Sequence, residues 1–517
     1  MTKQQFAYDS FSYSNDIFTQ THPDTLASIA RFKGLESPDI ENARILELGC
    51  GKGLNLISQA YGLPESEFVG IDLGKNHIDY ANRSVEELGL TNVEFKQTDL
   101  MDVDAEDFGK FDYIIAHGLF SWVPDAVRKR TLSIYKEMLS DKGVGYLSYN
   151  VYPGWHYKKI ASDVGKFHTR NEHRPEKKVE EAVEFITFLG ENSEKKDVYK
   201  FCLQNEVFSL EKLTPISIFH DTLAEINEPL YFHEFVDLLR ENELQFLSEA
   251  EFYRMSPSTL TDDARKFVEA LDDELLKEQY MDFFTGTAFR QTLFCRESVK
   301  LKRETDPEVL NDLYIASPLA PESENPDLFG SKIEKFTTTT GANIQIDNPP
   351  AKVALNHLAE IWGDSILFSD LLAHTKTTLE ENNYSSDDWD QEFVPIKSIF
   401  YQLICTSDIV EMHTVRRQIH TEITEKPKIN RLAKWQLANC DLILAGYQRV
   451  IKIEDEILRH LLNNLDGTRT MDEIYRSSTK FIKSLDGIEN KDLILENLKE
   501  VTDRHLEQFS RAGLLDA

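Results

Sequence analysis

Glu47-Leu48-Gly49-Cys50-Gly51-Lys52-Gly53 sets a carboxylate ahead of three glycines at alternate positions, directly behind a short apolar run. Glycine has no Cβ and enters left-handed backbone freely, so this spacing predicts a tight turn whose amides a ligand can approach. The preceding Arg44–Leu48 reads as a buried strand, and Leu54, Ile57 and Ala60 recur on one face of a helix after it. Strand, glycine turn and helix place a nucleotide-like cofactor at the strand's C-terminal end. A dinucleotide site asks for G-x-G-x-x-G, and Leu54 stands where its third glycine belongs.

The acidic-x-Gly-x-Gly-x-Gly form instead resembles motif I of the class I S-adenosylmethionine (SAM) methyltransferases. In that reading Gly49, Cys50, Gly51 and Gly53 form the turn. Glu47 bonds the amino end of the methionine moiety or the loop amides, and its charge complements a cationic cofactor. Asp72, with Leu73 beside it, closes the second predicted strand, where a carboxylate can accept both ribose hydroxyls; otherwise it caps the next helix. Asp99 closes the third, placed to accept from an adenine amino group while Leu100 packs on the ring; Asp also favours such turns on its own account. His117 follows the fourth strand, placed to touch the methionine part or to act as a base, or else structural. Trp122 walls the acceptor site or packs in the core. The fifth strand exits through Tyr149, Asn150, Tyr152, Trp155 and His156, and aromatic faces attract ammonium and sulfonium cations. Such a cluster suits an amine acceptor, or a lid packed on its own domain. The candidate catalytic set is therefore His117, Trp122, Tyr149, Asn150 and Trp155.

These residues need a parallel sheet behind them. Arg44–Leu48, Glu67–Asp72, Val93–Thr98, Phe111–Ala116 and Gly143–Asn150 read as strands, with helices starting near Gly53, Lys75 and Asp125. After Trp155 the strand signal fades into helical patterns, with Phe289–Cys295 a short strand candidate. Ser317–Leu328, with three prolines and three acidic residues, marks a linker. Lys335–Ile346 reads as a hairpin. Two similar helical units follow, Val353–Trp362 with Ile366–Leu372 and Ile399–His413, then Ile457–Leu465 with Met471–Tyr475 and Ile494–Leu515. Their order suits winged-helix-like modules, as one or two repeats. The expected fold class is α/β: a class I (Rossmann-like) methyltransferase domain over residues 1–156, then a helical connecting or dimerisation segment over 157–215. A mostly helical α+β middle domain over 216–330 and a winged-helix-like C-terminal region over 331–517 complete the expectation.

At 517 residues the chain exceeds a single small core. Its net charge of −32 repels phosphate backbones and draws in cationic substrates, so nucleic acid is not an expected partner. The five cysteines lie far apart without a C-x-x-C pair, which favours reduced thiols in a cytoplasm and no zinc site. No apolar run is long enough to span a bilayer, so no membrane insertion is expected.

Together these segments resemble the SAM-dependent methyltransferases that carry a methyltransferase regulatory domain, among them the rickettsial lysine methyltransferases acting on outer-membrane proteins. The matching residues are Tyr13-Ser14, Thr21-His22-Pro23, Leu46–Gly53, His117–Pro124, Ser148–Trp155 and His220-Asp221. Asn227-Glu228-Pro229, Phe232–Phe235, Phe289-Arg290-Gln291 and Leu465–Arg469 match as well. The resemblance implies SAM as cofactor with no metal, a homodimer, and a protein substrate with accessible lysines. It makes Tyr13 and His22 candidate lid residues over the cofactor. A small-molecule acceptor, or a SAM-binding regulatory protein without catalysis, are the competing readings.

Overall fold

The computed structural model describes residues 17–193, 198–302, 306–417, 419, 423–440, 442–445, 449–453, 455–487 and 490–516. A first helix, α1 (Pro23–Phe32), precedes β1 (Arg44–Leu48), α2 (Leu54–Gly62), β2 (Glu67–Asp72), α3 (Lys75–Leu88) and β3 (Val93–Gln97). β4 (Phe111–Ala116), α4 (Asp125–Met138) and β5 (Leu139–Asn150) complete the alternation. The five strands are mutually parallel in the order β3-β2-β1-β4-β5. That order reverses between β1 and β4, which opens a crevice beyond their C-terminal ends. Apolar side chains cover both faces: Ile45, Phe68, Tyr113 and Tyr146 on one, Leu46, Ile71, Ile114 and Leu147 on the other.

The sheet does not end at β5. α5 (Gly154–His168), α6 (Pro175–Asn192) and α7 (Val198–Leu210) pack around Ala161, Val179, Ala182, Ile186 and Leu203. The chain then passes α8 (Phe232–Glu241) and returns as β6 (Leu244–Glu249). After α9 (Asp262–Glu269) and α10 (Glu274–Thr285) comes β7 (Phe289–Arg296). β7 pairs antiparallel with β5, and β6 with β7, giving seven strands in the order β3-β2-β1-β4-β5-β7-β6. The middle region read as a separate α+β unit thus supplies the last two strands of the sheet, and the helices α5–α7 are an insertion after β5.

The predicted hairpin forms as Glu334–Thr337 paired with Asn343–Ile346. Both helical units beyond it share one plan. In the first, the strand Tyr314–Ala316 is flanked by Ile366–Leu367, which follows helix Pro349–Glu360, and by Glu411–His413, which follows helix Trp389–Thr406. In the second, Lys428 and Ile429 are flanked by Asp466, after helix Glu456–Asn464, and Leu515, after helix Leu498–Arg511. The first unit is clamped to α1 by Asp24, whose buried carboxylate accepts from His413 Nδ1 at 2.8 Å and from Thr414 N at 2.7 Å. Burial opposes the charge on Asp24, but the His413 hydrogen bond and charge, with Arg417, outweigh it and hold its pKa well below the usual range.

Candidate functional site

The glycine turn stands as the spacing predicts. Gly49, Gly51 and Gly53 take φ of 72°, 54° and 75°, the left-handed region that penalises a side chain. The turn is tied to the end of β2: Gly49 N and Cys50 N donate to Ile71 O, and Gly51 N donates to Asp72 Oδ2 at 2.9 Å. A cavity of about 430 Å³ opens over it. Its walls include Glu47, Gly49, Cys50, Gly51 and Gly53 from the turn, His117 after β4, and Trp122, Asn150 and Trp155 beyond.

The three glycines differ in what a methyl group would meet. At Gly53 a Cβ would lie 2.5 Å from the Phe95 ring and 3.0 Å from Ala81 Cβ, whereas at Gly51 it would meet nothing within 4 Å. Gly53→Ala should therefore lose about 1–3 kcal/mol of stability through overpacking and the strained backbone. Gly51→Ala should fold with a smaller loss, yet bind cofactor at least tenfold more weakly. Thermal melting and calorimetry on the two variants distinguish these effects; equal losses of stability would refute the distinction.

Glu47 is 4% exposed. Its Oε1 accepts from Asn55 Nδ2 at 3.0 Å, and among the described residues its Oε2 has no hydrogen-bond partner. Burial, with the Asp72 charge adding to it against the Asn55 bond, pushes its pKa up to about 8. A buried, half-satisfied carboxylate at the mouth of a glycine turn fits a cationic group. Gly51, open to the cavity, leaves room for backbone approach.

His117 Nδ1 lies 2.8 Å from Tyr146 Oη. Tyr146 donates its proton to Gln291 Oε1 at 2.8 Å, and Gln291 Nε2 in turn donates to Glu251 Oε2. Tyr146 is thus the acceptor from His117, which places the imidazole proton on Nδ1 and leaves Nε2 bare. Burial lowers the His117 pKa to about 4. A neutral ring does not repel a sulfonium. Phe18 packs on it with the rings tilted by 35°, centroids 3.9 Å apart.

Several expected residues are placed elsewhere. Tyr149 lies on the opposite face of β5 from Asn150, because side chains alternate along a strand. It is 1% exposed, stacks on Phe235 at 4.1 Å and meets Thr292 Oγ1 at 3.2 Å, so it is core and not acceptor wall. His22 caps α1, its Nδ1 accepting from Asp24 N at 3.1 Å, away from the cavity wall. Burial and the Arg417 charge push its pKa down to about 3. Asp72 is buried with each oxygen on an amide, Gly51 N and Gly74 N, so it fastens the turn. Leu73 is exposed, Asp99 accepts from Met101 N at the start of a short turn, and Leu100 is buried. These four stand at the C-terminal edge of β2 and β3, outside the residues that line the cavity. Tyr13 lies outside the described residues.

The cavity also takes side chains that the sequence reading passed over, Phe18, Asn55, Lys158 and Glu206, and Asp221, which it named only as part of the family resemblance. Glu206 carried a signal. It shares the buried stripe of α7 with Cys202, Leu203 and Leu210, where an apolar residue is the ordinary choice. Among the described residues no group of three or more His, Cys, Asp or Glu is placed to hold a metal ion. No helix there is long and apolar enough to cross a membrane.

Residues 40–205 match the model of a methyltransferase domain, and residues 215–296 match that of a predicted methyltransferase regulatory domain. An uncharacterized protein of Rickettsia prowazekii is 33% identical over 386 residues, which span 72% of this chain and 68% of that one. The chain belongs to the SAM-dependent methyltransferases that carry this regulatory domain. A second uncharacterized protein of the same organism is 30% identical over 47% of this chain and 97% of its own. Among solved structures, PKMT2 from Rickettsia typhi superposes with a TM-score of 0.86 at 27% identity, covering 98% of this chain and 100% of that one. PKMT2 in complex with AdoHcy gives a TM-score of 0.85 over the same extents. SAM is therefore the cofactor of this methyltransferase, and the regulatory domain is the part that contributes β6 and β7.

Proposed function

We propose that this methyltransferase acts on amines, and specifically on lysine side chains of a protein. The observation that carries the reading is that the cavity over the glycine turn is also lined by Asn150 and by Trp122 and Trp155, which meet edge to face, centroids 6.2 Å apart. Indole faces attract ammonium groups and shed water. The full-length likeness to PKMT2 supports the same reading, as does a net charge of −32, which draws in lysine-rich segments.

SAM supplies a sulfonium methyl for in-line displacement; the chain binds, aims and dries the reactants. In this reading Glu47 and the turn hold the methionine end, and Asp72 and Asp99 mark the direction of the ribose and adenine. The acceptor must be a neutral amine at the moment of attack, whereas free lysine has a pKa near ~10.4. Desolvation against the indoles lowers it. His117, with its pKa near 4, is too weak a base to take that proton. The proton therefore leaves to water before attack, and His117 serves as a neutral wall.

Purified protein, methyl-labelled SAM and a lysine-rich polypeptide test this directly. Hydrolysis should yield labelled methyl-lysine, and Trp155→Ala should lower kcat/KM for the polypeptide about 10- to 100-fold, corresponding to roughly 1.4–2.7 kcal/mol of barrier, while SAM affinity holds. Label confined to small molecules would overturn the protein substrate.

A further inference from the structure

The cavity over the glycine turn also holds an ion pair made by two residues of the inserted helices. Glu206 on α7 is 5% exposed, and Lys158 on α5 brings its Nζ to 3.7 Å from Glu206 Oε1 and to 6.0 Å above the Trp155 ring. Both residues line the cavity. At 3.7 Å the contact is longer than a good hydrogen bond, and among the described residues no other group bonds this carboxylate. Burial raises the Glu206 pKa against the pull of Lys158, as expected of a carboxylate with too little compensation.

We infer that Glu206 and the Trp155 face form the binding site for the acceptor's ammonium group, and that Lys158 is a resident placeholder which the incoming amine displaces. The inference rests on the amine reading above. A lysine ammonium over an indole and beside a buried carboxylate is the constellation that an amine substrate requires, and here the chain's own lysine already adopts it. Its loose geometry makes it exchangeable, because a substrate ammonium at hydrogen-bond distance would gain what Lys158 does not. The exchange keeps charge balanced: one ammonium leaves toward solvent as another enters, and Lys158, with its side chain 37% exposed, has a path out. The placeholder also keeps Glu206 from standing alone in a low-dielectric site between turnovers. Selectivity follows. A neutral alcohol of the same shape cannot displace a cation, so it leaves the pair intact and binds poorly.

The test is a titration of the AdoHcy-loaded protein with n-butylamine, as its ammonium, and with the neutral isostere n-butanol, read by tryptophan fluorescence. Glu206→Gln should weaken butylammonium at least tenfold and leave butanol and AdoHcy unchanged. Lys158→Met should tighten butylammonium severalfold. Equal butylammonium affinity in wild type and Glu206→Gln, or weaker binding in Lys158→Met, overturns the inference. The two readings fail separately. If the wild type methylates no amine but Glu206→Gln still weakens butylammonium, the function falls and the site stands. If lysine is methylated with the same KM in wild type and Glu206→Gln, the site falls and the function stands.

Discussion

Glu47→Gln should weaken SAM binding by about 2–3 kcal/mol, the ordinary cost of losing a hydrogen bond to a charged group, or roughly 30- to 150-fold in Kd. The isosteric amide keeps the volume and can still accept from Asn55, so the turn should survive and melting should barely change. The loss is one of charge: the bare Oε2 is the buried acceptor in this cavity that a cationic ligand completes. The pH dependence provides a sharper check. Burial sets the Glu47 pKa near 8 in the free protein, so at pH 7 it is mostly protonated. A bound cation lowers that pKa. A carboxylate whose pKa is lower in the bound state contributes affinity that is complete above about 8 and is lost as pH falls through that value, by at most about tenfold per pH unit. Wild-type binding at pH 7 should therefore release close to one proton more than Glu47→Gln, seen as a buffer-dependent heat in calorimetry. Identical proton release in the two proteins would show that Glu47 does not face the cation.

The parts of this site legible in the sequence are those where local chemistry has a single solution. Gly49, Gly51 and Gly53 stand in left-handed backbone, and β1, β2 and β4 begin and end at the predicted residues, because a parallel strand buried on both faces reads as a short apolar run. The difficulties begin where position depends on what packs behind. Tyr149 and Asn150 are neighbours in sequence and opposites in space, and residue type alone did not give the parity of β5. Asp72 has the right identity and strand end for a ribose ligand, but its two oxygens hold Gly51 N and Gly74 N. The extension of the sheet by β7 and β6 depends on pairing of β5 with a segment more than a hundred residues away, which no local pattern encodes. Glu206 and Lys158 reach the cavity only because the insertion after β5 folds back over it.

Arg290→Met should be the most damaging single change for folding. Arg290 lies on β7, 5% exposed, and its guanidinium reaches three buried carboxylates: Glu249 at 2.7 Å, Glu278 at 3.1 Å and Asp282 at 3.0 Å. Those come from β6 and α10, so one side chain joins the final two strands to the helix that covers them. Removing one partner of a buried ion pair costs about 3–5 kcal/mol, because the other charges stay buried without compensation. The two carboxylates of α10 already tend toward neutrality: burial and the neighbouring acids, against the pull of Arg290, push the Glu278 pKa up to about 8, and that of Asp282 is raised as well. A carboxylate whose folded pKa is raised above its unfolded value contributes stability that is full below the unfolded pKa and is lost as pH rises through the folded one. Without Arg290 those folded values rise further. The deficit of Arg290→Met should therefore be largest above about pH 8 and shrink toward pH 5. Adding Glu249→Gln and Glu278→Gln to Arg290→Met should recover much of the stability at neutral pH, since replacing two of the three carboxylates removes most of the uncompensated charge. Thermal melts of the wild type, the single variant and the triple variant at pH 5, 7 and 9 decide it. A deficit independent of pH, or a triple variant no more stable than the single one, would show that Arg290 acts through packing against Phe232, 4.2 Å from its guanidinium, and not through charge.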